Sequence, residues 1–248
     1  MSKKYFNINL EFDQNKVDQV IQDAIKKNIK GYVCSVEGNI LANANINKDY
    51  LKIVNNSLVN ICDGFSIALL ASLIHLKRHT TYIGADLFIR YIKMNCYRSY
   101  FLGNTDEVLS GLKYELSKLD PKINDMQFHT LPFLNVNEFD YPKIAKDIIK
   151  DKPDIIWISL GAPKQEIFMS KLLPYLNKGI MFGFGAILNF YSNNSTEKRA
   201  PKIFLKFKLE WLFRLVISPK KQYKKIILIL STYPKIILTE IYKKVTKS

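Results

Sequence analysis

The segment Trp157-Ile158-Ser159-Leu160-Gly161-Ala162-Pro163-Lys164-Gln165-Glu166 holds the start of a structural unit in ten residues. Its first part is apolar, aromatic and β-branched without a polar alternation, the pattern of a strand buried on both faces. Gly161 supplies a turn, and Pro163 stands at the first position of a helix, where its missing N–H is no loss. Glu166 lies in the first helical turn and complements the positive end of the helix dipole. A buried strand that runs through a tight turn into a helix is half of a βαβ unit.

The same unit recurs along the chain. Runs at 31–35, 58–62, 80–83, 99–103, 154–160 and 179–184 read as strands; 13–28, 49–56, 65–77, 86–94, 105–119, 138–150 and 163–173 carry apolar residues at helical spacing. Alternation of this kind predicts an α/β fold with a mostly parallel sheet, because parallel neighbours need a crossover between them. Residues 1–195 are expected to form that domain and to fold without the remainder, since every expected strand precedes residue 195.

Of 248 residues, 48% are hydrophobic and 24% charged, which excludes disordered and collagen-like architectures. The longest nearly uncharged apolar stretches, 65–76 and 179–191, fall short of the ~20 residues of a spanning helix. The opening Met1-Ser2-Lys3-Lys4-Tyr5-Phe6-Asn7 lacks the apolar core of a secretory signal. Cys34, Cys62 and Cys96 are odd in number and far apart, so a reducing cytoplasm is expected and a zinc knuckle is not.

The net charge of +15 is unevenly spread. Residues 198–248 contain 14 Lys and Arg against only Glu210 and Glu240, giving +12. A tail of this sort favours a polyanion: nucleic acid, an anionic bilayer or a phosphorylated ligand. At ~100° per residue Arg199, Lys206 and Arg214 fall on one side of a helix, and Phe204, Leu205, Trp211, Leu212, Leu215 and Val216 on the other, with Lys208 out of place. A second basic helix opens at Pro219 and carries Lys220, Lys221, Lys224 and Lys225 ahead of the apolar run 226–230; Pro234 is expected to kink or split it. Two readings of residues 196–248 stand, helices packed on the sheet with their charges in solvent or an amphipathic appendage lying on an anionic membrane. Nucleic acid fits less well, because the aromatic rings lie on the apolar face and not among the cations.

In open α/β sheets ligands bind beyond the carboxyl ends of the strands. Asp63 directly follows the run 58–62 and precedes Gly64 and an apolar helix. A carboxylate there can take the proton of an attacking hydroxyl, or can cap the helix that follows. Gln165 is an amide beside a strand end, able to meet a sugar hydroxyl or a uracil edge, although helix-start chemistry alone also explains its segment. Gly103-Asn104-Thr105 reads as an ordinary strand-to-helix turn that could present N–H groups to a phosphate, and the glycines of Gly183-Phe184-Gly185-Ala186 permit close backbone approach to a ligand or merely tight packing. His75 and His79 are four apart, but no third ligand is near in sequence and His79 falls past the expected helix end, so they are not read as a metal site. No phosphate-binding Walker loop, GxSxG elbow or dinucleotide fingerprint is present.

Taken in order, Cys62-Asp63-Gly64, Gly84-Ala85-Asp86-Leu87-Phe88, the run 160–166, Gly183-Phe184-Gly185-Ala186, Arg199-Ala200-Pro201 and the run 209–215 make the chain resemble the WecG/TagA/CpsF family of bacterial glycosyltransferases, glycosyltransferase family 26. The resemblance runs from about residue 30 to 226. It implies a Rossmann-like fold and an inverting transfer that needs no metal or other cofactor. The sugar, N-acetylmannosamine or a related hexose, would pass from a UDP-sugar to an undecaprenyl-diphosphate-linked acceptor at the inner membrane face. It assigns the base role to Asp63, substrate contacts to Ser35, Glu37, Asn39, Gln165 and Glu166, and acceptor or diphosphate contacts to Arg199, Arg214, Lys221 and Lys224. It also makes the basic tail an appendage that meets the membrane and helps complete the active site; no nucleic acid is implied, and a homo-oligomer is compatible with it.

The chain departs from the family at several points. Ser35-Val36-Glu37 stands where Thr-x-Asn is usual, Leu188-Asn189 where Phe-Asp is usual, and Lys221 and Lys224 where Arg is usual. The first two change hydrogen-bonding types beside the expected site, and the lysines keep charge but lose the bidentate fork. The competing class is a noncatalytic module whose tail binds nucleic acid or anionic lipid.

Overall fold

The computed structural model describes residues 3–197, 199–206 and 210–246. The chain opens with a hairpin of β1 (Lys3–Tyr5) and β2 (Ile8–Leu10), followed by α1 (Gln14–Lys26), β3 (Lys30–Val36), α2 (Gly38–Ile46), α3 (Lys48–Asn55), β4 (Val59–Cys62), α4 (Phe65–His75) and α5 (Gly84–Lys93). Next come β5 (Ser99–Gly103), α6 (Asp106–Ser117), β6 (Gln127–His129), α7 (Tyr141–Asp151), β7 (Ile155–Ser159), α8 (Lys164–Leu172), β8 (Gly179–Gly183) and α9 (Ile187–Tyr191). The basic segment forms α10 (Lys202–Lys206), α11 (Glu210–Ile217) and α12 (Pro219–Thr246).

Six strands build one parallel sheet in the order β4-β3-β8-β7-β5-β6. Alternate residues serve its two faces. Tyr32, Cys34, Ile156, Ile158 and Met181 belong to one core layer, and Val33, Ile155, Trp157, Ile180 and Phe182 to the other. The uninterrupted apolar runs therefore reflect helices on both sides, the doubly wound arrangement. The Trp157 indole N–H donates to the Ser99 hydroxyl at 3.1 Å, which satisfies the one polar atom of the largest buried side chain.

Several expectations need correction. Residues 80–83 are extended but form no strand; Tyr82 N–H donates to Cys62 O at 2.8 Å, a single bond to the end of β4 and not a ladder. Helix α2 was not expected, because Gly38 and three asparagines within nine residues weaken its pattern. It forms because it is buried nearly all round, and because Asn43 and Asn45 turn their amides back onto the carbonyls of Asn39 and Leu41. The β1–β2 turn places Phe6 and Asn7 at φ 51° and 71°, without the usual Asn-Gly signal; burial of the Phe6 ring and amide bonds from Asn45 and Asn55 hold it. Strand β6 is a three-residue edge, too short to show a period.

The tail differs most. Helix α12 runs unbroken through Pro234. The expected first basic helix appears as the shorter α10 and α11, with 207–209, and so Lys208, outside the described residues. Helix α12 packs on α2 and α4, burying Ile236 and Glu240, and His75 of α4 meets Glu240 at 3.0 Å. Residues 1–195 alone would leave those faces of α2 and α4 uncovered.

Candidate active site

Strand β3 pairs with β4 on one side and β8 on the other. In open α/β sheets ligands bind in a crevice beyond the carboxyl ends of the strands. Asp63 directly follows the carboxyl end of β4, beside β3, and is half-buried. The backbone N–H groups of Asp63 and Gly64 both donate to Val36 O, at 3.1 and 3.2 Å, and lock the ends of β3 and β4 together.

The carboxylate is held from two sides. Oδ2 accepts from Ser35 Oγ at 2.9 Å and Oδ1 from Gly84 N–H at 3.2 Å. A Cβ on residue 84 would lie 2.9 Å from Ser35 Oγ and 3.0 Å from Ile187 Cδ1, so glycine is what lets this backbone reach Asp63. Asp63 does not cap α4; that position belongs to Gly64. Burial pushes the Asp63 carboxyl up from 3.8 to about 6, the Ser35 and Gly84 hydrogen bonds oppose it, and the carboxylates of Glu37 and Glu210 add to it. A fixed carboxylate with this affinity for protons suits a general base near neutral pH.

Ser35 is buried, and Glu37 is half-buried at the residue before α2, with no capping bond from its side chain. Asn39, buried in the first turn of α2, accepts through Oδ1 from Asn43 Nδ2 at 3.0 Å. These residues surround the β3 end of the crevice.

Gln165 and Glu166 are placed differently from a ligand-facing pair. Gln165 is buried; its Nε2 donates to Gly183 O and to Glu166 Oε1, both at 2.8 Å, and its Oε1 accepts from Gly185 N–H at 2.9 Å. Glu166 is fully buried and also accepts from the Tyr50 hydroxyl at 2.9 Å. Burial pushes its carboxyl up to about 7, against the hydrogen bonds from Gln165 and Tyr50. Both side chains brace the turn after β8 from inside. Tyr50 escaped the sequence reading, since nothing local marks a helix tyrosine as the partner of a carboxylate 116 residues away.

A second polar group lies at the ends of β5, β7 and β8. Asn104 Nδ2 donates to Ser159 Oγ at 3.2 Å and to Asn189 Oδ1, Ser159 Oγ donates to Gly185 O, and Asn189 Nδ2 donates to Glu197 Oε2 at 2.9 Å. The available signal was an asparagine directly after a strand-ending glycine, and Asn104 does adopt φ 70°.

Of the four tail cations, Arg199 and Arg214 are each held in an ion pair. Arg199 pairs with Asp86 at 2.9 Å and donates to the Tyr191 hydroxyl at 3.3 Å. Arg214 pairs with Glu210 at 2.6 Å and stacks over Phe190. Lys224 is exposed on α12, and the Lys221 side chain lies outside the described residues. Among the described residues no group of three or more His, Cys, Asp or Glu could hold a metal ion; the His79 ring packs on Tyr5 and Phe12.

Residues 5–247 match the Glycosyl transferase WecG/TagA/CpsF family. Among curated proteins, the N-acetylglucosaminyldiphosphoundecaprenol N-acetyl-beta-D-mannosaminyltransferase of Bacillus subtilis (strain 168) is 24% identical over 218 residues, 87% of this chain and 81% of the relative. The protein of the same name from Staphylococcus aureus (strain NCTC 8325 / PS 47) is 23% identical over 222 residues, 86% and 85% of the two chains.

Proposed function

The chain belongs to the WecG/TagA/CpsF family of glycosyl transferases, and from that premise we propose that it transfers a sugar from a UDP-sugar to an undecaprenyl-diphosphate-linked sugar, with inversion. The donor sugar is N-acetylmannosamine or a related hexose, in keeping with the names of its relatives. The product is a lipid-linked precursor of a cell-surface polysaccharide or teichoic acid.

The observation that carries this reading is the Asp63 carboxylate, fixed between Ser35 and Gly84 at the carboxyl ends of β3 and β4 and raised to about 6. Asp63 takes the proton of an acceptor hydroxyl while that oxygen forms a bond to the anomeric carbon. The bond from that carbon to the UDP oxygen breaks on the opposite face, and its electron pair leaves with UDP. The Asn104–Ser159–Asn189 group, on the far side of the Gly185 turn, offers amides and a hydroxyl for the nucleotide end of the donor. Gln165 and Glu166 act through that turn.

Association with the inner face of the cell membrane is part of the same proposal. Among the described residues no helix is long and apolar enough to cross a membrane. Exposed Tyr223, Ile227, Leu230, Leu238, Ile241 and Val245 of α12 fall within an arc of roughly 80° at 100° per residue, with exposed Lys220, Lys224 and Lys235 along its edge. Helix α4 presents Leu69, Leu73 and Leu76 outward just before Lys77 and Arg78; Leu76 is 89% exposed and left-handed at φ 50°. Apolar stripes edged by cations fit an anionic bilayer surface.

The test is incubation of the full chain with a panel of UDP-sugars and a synthetic lipid-diphosphate acceptor in anionic vesicles, with mass spectrometry of the lipid product. A product heavier by one hexose-type residue supports the reading. No turnover with any donor, together with salt-sensitive RNA or DNA binding, replaces it with a noncatalytic binding module.

A further inference from the structure

Helix α12 crosses the corner where β3 passes into α2. A Cβ on Gly38, the first residue of α2, would lie 3.0 Å from Ile229 Cδ1 and 3.1 Å from the Tyr233 hydroxyl. Glycine at this position lets the phenol come down onto the backbone beside Glu37. The Tyr233 hydroxyl is buried; no group meets it at full hydrogen-bonding geometry, and the Ser66 hydroxyl is the neighbour that reaches toward it. Burial pushes the phenol up to about 12; the Ser66 hydroxyl pulls it down, and Glu37 and Cys62 push it further up. Gly38 follows Glu37, and Val36 accepts from the Asp63 and Gly64 N–H groups, so the hydroxyl lies at the β3–β4 corner that holds Asp63.

A buried hydroxyl without a well-formed hydrogen bond destabilises a fold, whereas phenylalanine fills nearly the same space without that penalty. The phenol stays neutral at physiological pH and can donate. Glu37 beside it disfavours an anionic ligand, which leaves an uncharged oxygen as the group that fits.

We propose that Tyr233 is a substrate-contact residue whose hydroxyl donates to a hydroxyl or acetamido oxygen of the acceptor sugar, next to the hydroxyl that attacks. This rests on the reading of Asp63 as the base of a sugar transfer, since that reading places the acceptor in this corner.

The test is Tyr233→Phe in the full-length chain. The thermal midpoint is expected to stay the same or rise, while kcat/KM for the lipid-linked acceptor falls roughly 5- to 20-fold and KM for the donor is unchanged. Gly38→Ala, which keeps the phenol but displaces it, is expected to weaken acceptor use in the same direction. Calorimetric binding of a short-chain lipid-diphosphate sugar to Asp63→Asn, with and without Tyr233→Phe, reads the contact without turnover. If the double variant binds the acceptor as well as Asp63→Asn alone, and Tyr233→Phe keeps the native kcat/KM within twofold, the proposal is overturned. If Asp63→Asn keeps full turnover while Tyr233→Phe still weakens acceptor binding, the base assignment falls and the contact stands.

Discussion

Replacing Asp63 by Asn should make the protein more stable and nearly inactive at once. In the fold the carboxyl is raised from 3.8 to about 6, which corresponds to about 3 kcal/mol between the two protonation states. The sign follows from which state holds the proton. Below about pH 4 Asp63 is protonated both folded and unfolded, and its ionisation carries no penalty. Between about pH 4 and 6 the unfolded chain loses the proton first, so stability falls as pH rises, and above about 6 the full penalty is present. Asparagine never ionises. Its oxygen can accept from Gly84 N–H, and its amide can donate to Ser35 Oγ once that hydroxyl rotates. The variant should therefore gain about 2–3 kcal/mol at pH 8, equivalent to roughly 5–10 °C in midpoint for a chain of this size, and gain little at pH 4. Turnover should fall by at least ~100-fold, and the native enzyme's kcat/KM should show an acid limb with a midpoint near pH 6. Calorimetric melting at the two pH values, beside UDP release, measures all three. A variant that melts with the native protein at pH 8 would refute the burial argument, and one that keeps near-normal turnover would pass the base role to Glu37.

Gln165→Ala removes the bonds to Gly183 O, Gly185 N–H and Glu166 together, and should lower stability by about 2–4 kcal/mol in denaturant titration; an unchanged midpoint would show that the turn does not depend on this amide. Glu166→Gln deletes a buried acid raised to about 7 and should raise the midpoint above pH 7 while turnover stays within about tenfold; a large loss of turnover with a raised midpoint would bring Glu166 into the chemistry. Charge reversal at Lys220, Lys224 and Lys235 should weaken sedimentation with anionic liposomes by about 1 kcal/mol per cation at low salt and by much less at 0.5 M salt, and salt-independent binding would remove charge from the explanation.

The parts of the fold that could be read in advance are those whose period is enforced by burial. Strand β5 falls on 99–103 as expected, because an uninterrupted apolar run between punctuation has one reading when both faces are covered. Helix α2 could not be read, because its stability comes from β3, α3 and α12 packing around it and not from an amphipathic stripe. The site divides in the same way. Asp63 was visible as a charge stranded at the end of an apolar run, whereas its partner Gly84 contributes only a backbone N–H and leaves no chemical trace. Gln165 was visible as an amide in the right place, but whether it faced a ligand or the interior depended on the path of the chain after β8. The tail's charge was plain, yet its docking rests on Gly38, Tyr233 and the His75–Glu240 pair, contacts that span most of the chain length.

The pairing of β3 with β8 sets the order in which this protein can come into being. Lys30 stands in register with Gly179 and Cys34 with Gly183, so two neighbouring inner strands of the sheet come from opposite ends of the α/β body. Non-local pairs of this kind close large loops before they are rewarded, and they slow folding. Until β8 is made, β3 can pair only with β4, and the slot beside it remains an open edge available to other chains. The crevice lies across that last seam, so a partly synthesised or nicked chain holds Asp63 without its opposite wall. Loosening the β3–β8 seam, even by a substitution far from Asp63, should therefore show first as loss of soluble protein during synthesis, before any change in the kinetics of the molecules that do fold.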